Sequence, residues 1–232
     1  MTHPTKAATY VVTGAGSGIG ALVAGSLRDR GDRLVLPVRS AARADDLRPD
    51  FPEADLVVAD LADPASVSAV AAAAGERVDG VVHAAGVVTL GPVAELDADA
   101  WRSQLDVNLV APALLTRALL PALRAARGTV VLVNSGAGQV AHPTWAAYAA
   151  SKHGLKALAD SLRAEEAGHG VRVTSVYPGR TATAMQERVH AQEGKSYDAD
   201  AWIRPETVAD AILGVLDLPD DATVPDLAIK PR

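Results

Sequence analysis

A doubly wound α/β Rossmann-type fold, with helices flanking a central parallel sheet, is the fold class this chain predicts. Short runs of valine and leucine alternate along it with longer stretches of helical periodicity, the pattern of right-handed βαβ units. The apolar runs are continuous rather than alternating, as strands covered on both faces require. A glycine-rich octapeptide, Thr13-Gly14-Ala15-Gly16-Ser17-Gly18-Ile19-Gly20, separates the first apolar run from the first helical one. Strand, tight glycine turn and helix in that order is the context in which a backbone cradles phosphates.

Taken in order, strands are expected over residues 10–12, 34–38, 56–58, 80–82, 129–133 and 171–176, and helices over 18–30, 64–74, 100–126 and 145–167. Asp63 before Pro64 has the chemistry of a helix cap followed by a first-turn proline. The arginines between Arg28 and Arg48 are interleaved with aspartates and read as a solvated mixed-charge face. With no linker and no repeat, the whole of 1–232 is expected to be one domain, with a small lid over 184–203 containing Gly194. Ligands in such folds gather beyond the carboxyl ends of the strands. The glycine turn, Asp60, Gly86, Ser135 and Pro178 all follow predicted strands, so one edge of the sheet collects them.

Composition narrows the function classes. Hydrophobic residues make up 49% of the chain, as in globular proteins. The net charge of −6 argues against nucleic acid as a partner. There is no cysteine, and the six histidines show no ligand spacing, so no metal is expected. No unbroken apolar run approaches the ~20 residues of a membrane span, and Met1–Lys6 lacks the apolar core of a secretion signal. A cytoplasmic protein without a membrane partner is the expectation.

Tyr148 and Lys152 stand four apart, on one face of a helix. A phenol with an ordinary pKa of about 10 exchanges protons poorly near neutrality; an ammonium beside it favours the phenolate. Ser135, after the fifth strand, offers a hydroxyl for a carbonyl oxygen. Singly, Ser135 reads as a turn former and Asn108 as a satisfied polar residue; together with the glycine turn, chemistry is the stronger reading.

With these motifs together, the chain resembles the short-chain dehydrogenase/reductase family from about residue 9 to about residue 216. The glycine run resembles that family's Thr-Gly-x-x-x-Gly-x-Gly, and Asp60-Leu61 looks like its adenine-contacting position. His83-Ala84-Ala85-Gly86 is similar to its Asn-Asn-Ala-Gly turn, and Pro178-Gly179-Arg180-Thr181-Ala182-Thr183 to its Pro-Gly-x-x-x-Thr segment near the nicotinamide. The resemblance implies a catalytic set of Asn108, Ser135, Tyr148 and Lys152. Gly14, Ser17, Gly18, Ile19, Gly20, Asp60, Leu61, Ala85, Gly86, Pro178, Gly179, Thr181 and Thr183, with Tyr148 and Lys152, would hold the cofactor. At His83, where the family usually has asparagine, a buried histidine bonded to neighbouring backbone is expected.

Aligned on the family, Val38 replaces the acid that would bind a ribose 2′-hydroxyl, and Arg39 follows it. A guanidinium suits a 2′-phosphate, and Ser40 could add a hydrogen bond. NADP(H) is therefore expected, with NAD(H) as the alternative.

The implied chemistry is hydride transfer between a ketone or aldehyde and an alcohol, with Tyr148 as general acid/base. Lys152 would lower its pKa, Ser135 would polarise the substrate oxygen, and Asn108 would interrupt its helix and hold a proton-passing water. Pocket walls would come from 87–92, 139–145 and the segment after Thr183. A catalytically silent nucleotide-sensing protein on the same fold is the alternative function. Residues 224–232 leave room for a last short strand. They lack the Gly-rich ending with which many relatives build tetramers, so a homodimer through helices 100–126 and 145–167 is expected.

Overall fold

The computed structural model describes residues 7–61 and 63–232; the reading of Met1–Lys6 lies outside them. Seven parallel strands form one sheet: β1 (Thr9–Thr13), β2 (Arg33–Val38), β3 (Asp55–Val58), β4 (Gly80–His83), β5 (Thr129–Val133), β6 (Arg172–Pro178) and β7 (Asp226–Ile229). Their order is β3-β2-β1-β4-β5-β6-β7. The winding direction reverses between β1 and β4, where Val11 pairs with Val35 on one side and with Val81 on the other.

Strands β1 to β6 divide their apolar residues between two cores, which is why the runs are continuous. Val12, Leu36, Val82 and Val131 face α1 (Gly18–Asp29), α2 (Ala41–Leu47) and α8 (Pro205–Leu216). Val11, Val35, Val81 and Val130 face α3 (Val67–Ala74), α5 (Ala111–Ala126) and α6 (Ala146–Glu166). This two-sided coverage is the doubly wound arrangement.

All six predicted strands are present, and β7 fills the carboxyl-terminal region. Asp63 caps as anticipated: its Oδ1 accepts from the Ala65 N–H at 2.9 Å, ahead of a 3₁₀ turn over Pro64–Ser66 that leads into α3. The solvated mixed-charge stretch contains a short helix, α2, whose only buried residues are Ala44 and Leu47. The 184–203 segment holds α7 (Ala184–Gln192) and a 3₁₀ turn over Ala199–Ala201.

The helix expected over 100–126 begins as α4 (Ala98–Leu105), widens into a π-turn at Asp106–Val110 and continues as α5. By length and composition this 98–126 helix is apolar enough to cross a membrane, although polar residues interrupt every apolar run within it. Leu115, Leu119 and Leu123 on its α5 portion pack in the sheet core. At its carboxyl end Arg124 makes a two-bond pair with the buried Glu166 of α6 (2.8 and 2.6 Å), which holds the Glu166 carboxyl below its ordinary pKa.

His83 differs from expectation in its partner. It is buried, and its Nε2 lies 2.8 Å from the Thr116 hydroxyl of α5 rather than on neighbouring backbone. Its position as the last residue of β4, opposite α5, explains this: the ring projects toward the helix. Burial drives its pKa down to about 3.

Leu123 is completely buried between α5 and the sheet. Leu123→Ala should lower unfolding free energy by about 3 kcal/mol, measured by urea denaturation. His83 is neutral in the folded state, while the unfolded chain takes up a proton below pH 6.5. Its stabilising contribution is therefore complete above pH 6.5 and is lost as pH falls toward 3. Between pH 7 and 5 the native protein should lose about 2 kcal/mol more stability than His83→Gln.

Candidate active site

The glycine turn joins β1 to α1 at the point where the sheet reverses. Gly14 has φ of +74°, and a Cβ there would lie 2.8 Å from the Ala85 nitrogen and 2.9 Å from the Ala84 carbonyl oxygen. A Cβ on Gly20 would stand 2.5 Å from the Gly14 carbonyl oxygen. Both positions exclude any side chain, so helix, turn and the end of β4 are pressed together. The Thr13 hydroxyl accepts from the Ala84 and Ala85 N–H groups, each at 3.1 Å, fastening the two strand ends.

Ser17 precedes α1 in extended conformation and its side chain makes no capping bond. The first-turn N–H groups of α1, at Gly18, Ile19 and Gly20, therefore have no side-chain acceptor from the cap. That is the donor set an anionic phosphate takes at a helix N-terminus. Thr183, at the start of α7, closes over the turn, its Cγ2 3.5 Å from the place of a Gly18 Cβ. A dinucleotide pyrophosphate fits this cradle: small at Gly14 and Gly20, and donor-rich at the helix start. Beside it lies a shallow recess bordered by Thr13, Leu61, His83, Ala85 and Val107 among others. Asp60 is exposed at the mouth of the β3–α3 connection.

At the end of β2, Arg39 is exposed and makes no ion pair with any described residue. The Ser40 hydroxyl accepts from the Arg43 N–H at 3.3 Å as the cap of α2, which leaves its own proton to donate. The mixed-charge pattern does not single out Arg43. Its Nη1 pairs with Asp46 at 2.8 Å, and its Nη2 reaches the Gly16 carbonyl oxygen at 3.4 Å, across the glycine turn. The three-residue offset from the Ser40 cap is the signal that could have found it, since it fixes which face of α2 looks back at the turn.

The four residues expected to form a catalytic set come from three elements and meet at the carboxyl ends of β4 and β5. Tyr148 lies in the first turn of α6 and is buried. Burial pushes its phenol pKa up, and a hydrogen bond with the Ser135 hydroxyl pulls the other way. Ser135 caps the 3₁₀ turn over Gly136–Gly138, its Oγ accepting from the Ala137 N–H at 3.1 Å.

Lys152 makes no hydrogen bond to the phenol. Its Nζ donates to the Val133 carbonyl at 2.9 Å and sits 5.9 Å from the Tyr148 ring centre. The shared helix face brings the pair together, with the ammonium turned toward the Val133 carbonyl at the end of β5. Burial lowers its pKa to about 8.

Asn108 lies in the π-turn, so the helix is locally interrupted at this residue. Its amide side chain is fully used. Oδ1 accepts from the Val87 N–H and Nδ2 donates to the Val87 carbonyl, both at 2.9 Å, and Nδ2 also donates to the Ser151 hydroxyl at 3.0 Å. The Ser151 hydroxyl in turn donates to the Tyr148 carbonyl at 2.7 Å. Asn108 therefore ties the loop after β4 to the Tyr148 turn of α6. A Cβ on Gly86 would stand 3.3 Å from Asn108 Oδ1 and 3.9 Å from Lys152 Nζ, so Gly86 borders the same space.

Pro178 closes β6, and the Gly179 N–H donates to the Ile229 carbonyl of β7 at 2.7 Å. The Thr181 hydroxyl donates to the Gly179 carbonyl at 3.0 Å, and Thr183 caps α7 by accepting from the Gln186 N–H at 3.3 Å. Trp145 packs edge-on to Tyr148 with ring centres 5.7 Å apart, and Val88 joins the same small apolar cluster.

The short chain dehydrogenase family model matches residues 8–194. A short-chain type dehydrogenase/reductase of Sinorhizobium fredii is 32% identical over 235 residues, covering 99% of this chain and 94% of its own length. Glycine betaine reductase ATRR of Emericella nidulans is 33% identical over 99% of this chain, which spans only 19% of that protein. Dehydrogenase/reductase SDR family member 7B of Bos taurus is 34% identical, with 82% of this chain and 63% of the relative covered. Among solved structures, a short-chain dehydrogenase from Streptomyces avermitilis aligns with a TM-score of 0.84 at 30% identity, over 98% of this chain and 89% of its own. A metagenomic short-chain oxidoreductase in complex with NADP aligns at 0.81 and 32% identity, over 97% of each chain. The chain therefore belongs to the short-chain dehydrogenase/reductase family, a family of NAD(P)-dependent oxidoreductases.

Proposed function

We propose that this protein is an NADP(H)-dependent oxidoreductase that interconverts a ketone or aldehyde with the corresponding alcohol. The observation that carries the reading is the convergence of Ser135, Tyr148 and Lys152 beside the glycine turn, at the reversal point of the sheet. The cofactor would be held by Gly14, Ser17, Gly18, Ile19 and Gly20 at its pyrophosphate and by Asp60, Leu61, Ala85 and Gly86 around the adenosine. Pro178, Gly179, Thr181 and Thr183 would border the nicotinamide, with Lys152 on its ribose. When bound, the nicotinamide supplies or accepts the hydride.

The chain's own groups manage the proton. With its pKa raised by burial, Tyr148 is protonated near neutrality, the state a general acid for carbonyl reduction needs. Ser135 donates to the carbonyl oxygen and stabilises charge as it develops there. In the oxidation direction the phenol must lose its proton, and a neighbouring ammonium favours that loss. Lys152, with a pKa of about 8, still carries its charge at pH 7. Asn108 acts on this reading by fixing the Tyr148 turn and the π-turn geometry rather than through a free amide.

The preference for NADP(H) rests on the unpaired Arg39 and on Arg43, which brings a second guanidinium to the glycine turn where Ser17 offers none. Two planar forks suit a phosphate monoester. A cytoplasmic setting is proposed because the apolar face of the 98–126 helix is used on the sheet, and a homodimer through the long helices remains the proposed assembly.

Tyr148→Phe should bind NADPH as the native protein does and lose at least about a hundredfold in turnover of a ketone panel, read at the reduced nicotinamide absorbance. Normal turnover in that variant would remove the proton-transfer role. NADPH binding without carbonyl-dependent oxidation by the native protein would favour the sensing alternative. Arg39→Asp should weaken NADPH binding far more than NADH binding, with Arg43→Gln giving a smaller change of the same sign. Equal effects on both nucleotides in fluorescence titration would refute the phosphate contact.

A further inference from the structure

The 184–203 segment leaves the sheet after β6 and returns to it at one place. The Ala182 N–H donates to the Ile203 carbonyl at 2.8 Å and the Ile203 N–H to the Arg180 carbonyl at 3.1 Å, so the base of the excursion is pinned by two backbone bonds. The far end of α7 is held by side chains. Gln192 Oε1 accepts from the Leu90 N–H at 2.7 Å, reaching the loop after β4. Glu193, the residue that ends α7, takes both of its carboxylate oxygens to Arg180 Nη2, at 2.7 and 3.0 Å; Lys195 adds a contact to Oε2 at 3.2 Å.

Arg180 is thus bonded to the lid at both its base and its tip, and its guanidinium does more. It lies 5.3 Å from the ring centre of Trp202 and 6.0 Å from that of Trp145. Its Nη1 is 3.5 Å from His190 Nε2, and the His190 ring packs on Tyr197 and Trp202 at 5.2 and 5.3 Å. Trp145 is the ring that packs edge-on to Tyr148. A continuous set of contacts therefore runs from Glu193 on the lid, through Arg180 and Trp145, to the buried phenol. Only arginine joins these functions, because a planar fork can bond a carboxylate at its edge while presenting its face to aromatic rings. Placing a part-buried charge here costs desolvation that its paired and stacked contacts must offset.

The backbone around Trp145 is held in register with the same loop. Thr144 takes φ of +69°, a left-handed conformation unfavourable for a β-branched residue, and its carbonyl accepts from the Gly91 N–H at 2.8 Å. Leu90 and Gly91 thus contact the lid and the Trp145 segment from adjacent positions.

We propose that Arg180 is a positioning residue that couples closure of the 184–203 lid to the seating of Trp145 on Tyr148. The phenol meets the substrate oxygen in reacting geometry only when the Arg180–Glu193 pair is made. This rests on the reading of Tyr148 as the proton donor. Misplacement of a reacting group by about an ångström is enough to cost orders of magnitude in rate.

The test uses the full chain in a Trp101→Phe background, so that emission comes from Trp145 and Trp202 alone. Arg180→Lys, Glu193→Gln and the double variant are compared for kcat, KM, NADPH binding and emission. Both single variants should lose about tenfold or more in kcat with NADPH binding unchanged, and the double variant should be no worse than either single one. Lysine should fail to rescue despite keeping the charge, and the emission change on saturation with NADPH and ketone should be lost. Native kcat in Glu193→Gln, additive losses in the double variant, or losses of NADPH binding and melting temperature in parallel with kcat would overturn the proposal. If Tyr148→Phe is inactive while the Arg180 and Glu193 variants turn over normally, the coupling alone is refuted. If Tyr148→Phe is fully active, the proton-donor reading falls first.

Discussion

The approach of the Gly14 backbone to the Ala84–Ala85 peptide is the constraint on which the rest of this molecule depends. It brings the exits of β1 and β4 to within a distance at which no side chain fits. The Thr13 hydroxyl holds the two ends there by accepting two N–H groups. Because β1 and β4 are neighbours across the reversal of the sheet, the chain leaves them toward opposite faces and a crevice opens between the departing segments. The glycine turn forms one wall. The loop after β4, which carries Gly86, Val87 and Leu90, forms the other. Asn108 then anchors that loop to α6 through Val87 and Ser151, so the position of Tyr148 follows from the same approach.

Stability and chemistry pull against one another around this crevice. The two cores on the faces of the sheet are built almost wholly of apolar side chains. Near the site, by contrast, Lys152, Asn108, Asn134, His83 and Thr116 are all buried. Asn108 is satisfied completely, and Asn134 donates to the Lys152 carbonyl at 3.1 Å. Lys152 has one carbonyl partner for an ammonium with three donors, and its burial lowers its pKa to about 8. Such a group is destabilising for the fold and useful for proton chemistry. A ligand hydroxyl reaching Lys152 would offset part of that desolvation.

The elements that escaped sequence reading did so for identifiable reasons. α2 has seven residues and buries only two of them, so charge density dominates its pattern. α8 was legible in principle: a proline at its first turn precedes Val208, Ile212 and Val215 at helical spacing. The π-turn was anticipated only as a local interruption at Asn108. Its width depends on how α4 and α5 are both held against neighbouring elements, which no local propensity encodes.

By itself the sequence determined the strands, because most residues buried on either face of a parallel sheet are apolar whatever their neighbours are. It also determined the cradle, because only glycine fits at Gly14 and Gly20, and it brought Tyr148 and Lys152 to one helix face through the 3.6-residue period. Tertiary structure alone decided what those groups experience. The Lys152 ammonium faces a carbonyl of β5, His83 meets a hydroxyl of α5, Arg43 crosses the glycine turn, and Arg180 lies between two tryptophans and a glutamate. Each of these depends on partners distant in the chain. Burial and electrostatics are set by the sum of surroundings in space, which residue spacing does not carry.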